Sequence, residues 1–175
     1  APAFGIGLGS PAPSIDIVAL NTAVHEPLFN TFAMGWVGVE RDRTGADFDQ
    51  VRTLQSPSAS ATRVRVVLSH HPIHDPASTT AFENGLQNCR AVAQALAAAP
   101  IPSVILSGHT HVPFPPFAKL PDHVASAGHP PLQGSAQLTA GTVSQRSSDH
   151  TWQLLRFWEE DDGGIAVERI MFERT

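Results

Sequence analysis

Two apolar runs that both end on histidine, TRVRVVLSHHP at 62–72 and SVILSG at 103–108, flank a segment with apolar residues at helical spacing. No other feature restricts the fold as much. Val64, Val66, Val67 and Leu68 are the β-branched and aliphatic residues that suit a buried strand, and Pro72 stops it. In 81–99, Phe82, Leu86, Cys89, Ala93 and Leu96 form one stripe of a core-facing helix, closed by Pro100 and Pro102. Strand, helix and strand in this order predict a βαβ unit, with two parallel strands and a right-handed crossover. Ligands of open α/β sheets bind beyond the carboxyl ends of the strands. The unit therefore brings positions 70–71 and 109–111 to one edge.

The rest of the chain reads as one α/β domain over residues 1–175. SIDIVALN (14–21) predicts a strand, and a long connection follows it. In 46–56, Phe48, Val51 and Leu54 recur in threes, which predicts a short amphipathic helix with Asp47 and Asp49 in its first turn. Six prolines and two glycines in 113–135 predict a surface loop near the histidine edge. From AQLTAG (136–141) onward the pattern suggests antiparallel structure, ending in a hairpin of 151–160 with 164–174 around Asp-Asp-Gly-Gly. Trp152 and Trp158, six residues apart, share a strand face and are expected in the core.

Composition removes several function classes. A net charge of −5 with one lysine, Lys119, offers no basic face for a nucleic-acid backbone. No apolar run approaches the roughly 20 residues that span a bilayer, and APAFGIGLGSPAPS lacks a signal-peptide pattern. The single cysteine, Cys89, excludes an internal disulfide, so a cytoplasmic location is expected; on the helix stripe it reads as a core residue.

Nine histidines in 175 residues make chance pairs common, so His-x-His spacing alone decides little. Context adds more, because each cluster follows a strand of one βαβ unit and the imidazoles can converge on one crevice. Neutral imidazole suits Zn, Mn, Fe, Co or Ni. Gly108 is expected to permit a close backbone approach there. Two polar turns with solvated histidines are the competing reading.

VVLSHHPIHD with VILSGHTHVP, then LTAGTVSQR and a closing hairpin, resembles the C-terminal half of the calcineurin-like metallophosphoesterase superfamily. The likeness runs from IDIVALNTA to the end. It implies an α/β sandwich and a dinuclear centre that hydrolyses phosphate mono- or diesters with two divalent or trivalent ions of the Mn, Fe or Zn type. His70, as the histidine of H-x-P, and His109, as the first of G-H-x-H, would hold one metal, and His111 its partner. His71 is expected beside the ligands rather than among them.

The family's D-x-H, G-D-x-x-D and G-N-H-[DE] motifs do not occur here, so the bridging carboxylate and the histidine acid have no counterpart. No general acid is assigned. The expectation is the C-terminal portion of a larger metallophosphoesterase domain, a fragment inactive alone, with the N-terminal half of that domain as partner and a phosphate ester as substrate. The non-methionine start agrees with that. Exposed sheet edges and faces would then favour self-association or pairing with the missing half. Two other readings stand beside it: a non-catalytic binding module of the same fold, and a mononuclear zinc hydrolase built from three histidines. His25, His74, His123, His129 and His150 are expected to be solvated, and Asp75 as well.

Overall fold

The computed structural model describes residues 4–6, 14–22, 35–41, 44–57, 62–74, 85–110, 114–117, 135–139, 151–162 and 165–173. Its elements in chain order are β1 (Phe4–Ile6), β2 (Ser14–Leu20), β3 (Val39–Arg41), β4 (Asp47–Asp49), α1 (Gln50–Thr53), β5 (Thr62–Ser69), α2 (Cys89–Ala97), β6 (Ser103–Ser107), β7 (Phe114–Phe117), β8 (Ser135–Thr139), β9 (Thr151–Glu159) and β10 (Ile165–Glu173). Six strands make one sheet in the order β1-β2-β5-β6-β8-β7. Its four central strands are parallel, and the edge strands β1 and β7 are antiparallel to their neighbours. Over the described residues the protein is thus mixed α/β, a parallel sheet plus an antiparallel hairpin with little helix.

The expected βαβ unit is present, with β5 and β6 adjacent and paired from Arg65↔Ser103 to Ser69↔Ser107. Strand alternation then sorts the core. Val18, Leu20, Val67 and Ile105 pack with Cys89, Val92, Ala93, Ala95 and Leu96 of α2. On the other face Val64, Val104 and Leu138 pack against Leu155, Phe157, Ile165 and Val167 of the hairpin β9–β10. Arg65, almost wholly buried, spans three partners on the α2 side. It donates to Asp16 (3.0 Å) and to the carbonyls of Leu54 and Ser56, which anchors the end of α1 to the sheet.

Several expectations need correction. The helix of 46–56 shrinks to the single turn α1, because 47–49 pairs with β3 instead; Asp49 caps it by accepting from Val51 and Arg52, and Asp47 lies in β4. The helix of 81–99 is described only from Cys89, and Gly85–Asn88 before it form a bridge and turn; Phe82 lies outside the described residues. Asn88 precedes α2 without capping it, since its side-chain amide pairs with Val37 N and O. Residues 113–135 are not loop throughout, because β7 pairs with β8. The antiparallel character expected from 136 onward holds in part: β8 pairs antiparallel with β7 but runs parallel to β6, its buried Ser135, Gln137 and Thr139 on the α2 side and Leu138 on the other.

The hairpin holds, with Ile165↔Glu159 through Glu173↔Thr151 in register, but its tryptophans lie outside the core. Leu155 and Phe157 turn to the sheet, so Trp152 and Trp158 point away at 53% and 41% exposure. Trp152 instead stacks on Phe172 across the strand pair, with ring centroids 3.8 Å apart. No helix among the described residues is long and apolar enough to cross a membrane.

Candidate metal centre

The end of β5 and the end of β6 are joined directly beyond the last ladder pair. Gly108 N donates to His70 O at 3.1 Å, so the two histidine turns continue the strand pairing by one step. This places His109 Nδ1 3.1 Å from His70 Nε2. The His71 ring completes the group, its centroid 4.3 Å from that of His109 and 4.8 Å from that of His70. One nitrogen of each of His70, His71 and His109 lies within 4.8 Å of the others, and no carboxylate belongs to this group among the described residues.

Three imidazoles on a tetrahedral zinc, with Zn–N of about 2.0–2.1 Å, hold their nitrogens roughly 3.4 Å apart. The His70–His109 separation already meets this spacing. The widest pair must close by at most about 1.5 Å, and His70, exposed, and His109, half-buried, are the rings with room to move. The residues present therefore fit a metal ion of the imidazole-preferring kind.

The turn after β6 owes its shape to His109 itself. Its φ is +66°, a left-handed value unusual for a residue with a Cβ, and Thr110 N donates back to Gly108 O at 2.8 Å. This is the strained three-residue γ-turn, and such strain recurs at binding sites. Gly108 needs no special freedom. A Cβ there would meet His70 O at 3.9 Å, an ordinary contact, so the close approach expected of it is not required.

The turn after β5 is held from elsewhere in the chain. His71, 1% exposed, has Nδ1 2.7 Å from Thr22 Oγ1 at the end of β2, and its backbone N–H donates to the same oxygen at 3.3 Å. Ser69 Oγ donates to His71 O at 2.6 Å. Gln137 of β8 accepts from Ile73 N and His74 N and donates to His74 O at 2.7 Å. Gly35 lies over the His71 ring, where a Cβ would fall 2.4 Å from Nδ1 and 2.5 Å from Cγ. That segment is fixed by Gly35 N to Gly85 O, Gln87 N to Gly35 O and Trp36 N to Thr22 O.

Of the residues expected to bind metal, His70 and His109 are brought together, and His111 lies outside the described residues. His71 lies in the same cluster, its ring packed against those of His70 and His109. His74 is buried at 2% rather than solvated, because Gln137 draws its backbone inward. His25, Asp75, His123, His129 and His150 lie outside the described residues. Cys89 is a core residue as expected, and burial pushes its thiol pKa up, away from the thiolate a nucleophile needs. Thr22, Gly35 and Gln137 carry no motif and were not singled out by sequence. The sequence offers one signal for Thr22 and Gly35, a small or polar residue in an apolar stretch, and none for Gln137 in QGSAQLTAG.

Compared with protein-family models and with curated proteins, the chain matches none.

Proposed function

We propose that this chain is the C-terminal portion of a metal-dependent phosphoesterase, and that its sheet and packed hairpin form part of a metallophosphoesterase-type α/β sandwich. The observation that carries the reading is the convergence of His70 and His109 at the carboxyl ends of adjacent parallel strands, with ring nitrogens 3.1 Å apart. On this reading both imidazoles hold one ion, and His111 a second ion in the complete enzyme, the pair being of the Mn, Fe or Zn type. When bound, such ions supply Lewis-acid polarisation of phosphoryl oxygens and lower the pKa of water. His70, exposed at the mouth of the cluster, leaves the approach open to a phosphate ester, and the strained turn sets the backbone from which the His109 ring projects.

The test is hydrolysis of p-nitrophenyl phosphate and bis(p-nitrophenyl) phosphate with Mn or Zn, by this chain and by any longer reading frame that contains it. Metal-dependent turnover in the longer form, abolished by His109→Ala, is the expected result. Retention of neither metal nor activity in either form would overturn the enzyme reading, and full activity in the short form would overturn the partial-domain reading. A non-catalytic binding module is favoured by one observation, the lack of a carboxylate in the described cluster. It predicts metal binding without turnover.

A further inference from the structure

We propose that His71 is a third metal ligand, bonding through Nε2, and that the Thr22 hydroxyl is the acceptor that fixes its tautomer. This rests on the metal-binding reading above and adds to it a residue the sequence placed outside the ligand set.

The geometry of His71 carries the argument. An imidazole with Nδ1 engaged in a hydrogen bond coordinates a metal only through Nε2, and only when Nδ1 holds the proton. Thr22 Oγ1, 2.7 Å from Nδ1, already accepts the backbone N–H of His71. A hydroxyl oxygen has two lone pairs, so it accepts both N–H groups of the same residue. Metal-bound histidines commonly donate their second N–H to a fixed acceptor, which sets the ring's orientation and raises its basicity.

The rest of the surroundings prevents the ring from turning. Thr22 and His71 are 2% and 1% exposed, and Gly35 covers the ring so closely that no side chain fits between them. The result is a preorganised ligand beside two more adaptable ones, His70 exposed and His109 half-buried. Three neutral imidazoles select Zn, Co, Ni or Cu over Mg or Ca. They leave both positive charges on the ion and an open position, which suits an anion such as inorganic phosphate.

The experiment uses the 175-residue chain, with zinc affinity measured by competition against a chromophoric chelator and the His71 tautomer read by 1H–15N NMR. The expected results are one zinc per chain, a Nδ1-protonated His71 with and without zinc, and an affinity about 10–100-fold weaker in Thr22→Val. Thr22→Ser restores binding, and His71→Gln weakens it at least as much as Thr22→Val does. Unchanged affinity in both His71→Gln and Thr22→Val would overturn the third ligand while leaving a His70–His109 site intact. Failure of the unsubstituted chain to bind zinc would overturn the three-histidine site, while the enzyme reading would still stand or fall on the longer form. The tautomer measurement requires no variant to fold, and a Nε2-protonated His71 in the zinc-loaded chain would overturn the proposal alone.

Discussion

The turns after β5 and β6 deliver histidines to the same point by opposite means. After β6, one residue does the work locally: His109 takes a left-handed φ inside a three-residue turn, and its ring stays half-buried. After β5, the path of His70–His74 is imposed by Thr22, Gly35 and Gln137, which lie 64 residues away at the most distant hydrogen bond. The first device stores strain in the backbone of His109 itself. The second spreads the constraint over the core, so the His71 ring is as rigid as the sheet around it.

Substitutions can break this contrast, and the largest effect is expected on the β5 side. Gln137→Leu leaves Ile73 N, His74 N and His74 O without their partner in the interior, a loss of about 3 kcal/mol or more in chemical denaturation. A loss below about 1 kcal/mol would mean that the β5 turn keeps its shape without β8. Gly35→Ala comes next. Its Cβ must displace a buried ring, so a destabilisation of about 2 kcal/mol together with weaker zinc binding is expected. Stability and affinity like those of the parent would show that the ring does not sit beneath Gly35.

On the β6 side the sign reverses. His109→Gly relieves the left-handed conformation that His109→Ala retains, so the glycine variant should be the more stable of the two by about 1 kcal/mol. The opposite order would remove strain from the account of that turn.

The same contrast explains what was legible in the sequence. The β5–α2–β6 unit and the hairpin follow from local periodicity, and local periodicity lies in neighbouring residues. Where pairing partners are distant, that signal fails. Residues 47–49 chose β3 over helix, and Ser135–Thr139 joined the parallel sheet. Trp152 and Trp158 do share a face, but which face of the hairpin meets the sheet was decided by Leu155, Phe157, Ile165 and Val167. The site divides in the same way. His70 and His109 were visible because each ends a strand of one unit, whereas His71 joins them through Thr22 and Gly35, whose spatial proximity no spacing rule encodes. His74 was misread as solvated because its burial depends on Gln137, 63 residues on.

X-ray absorption on the zinc-loaded chain reads the coordination of a His70–His71–His109 centre without any variant. One zinc per chain with three imidazole nitrogens at about 2.0–2.1 Å is expected. A chain that retains no zinc, or a zinc shell with fewer than three histidines, would overturn the three-histidine centre.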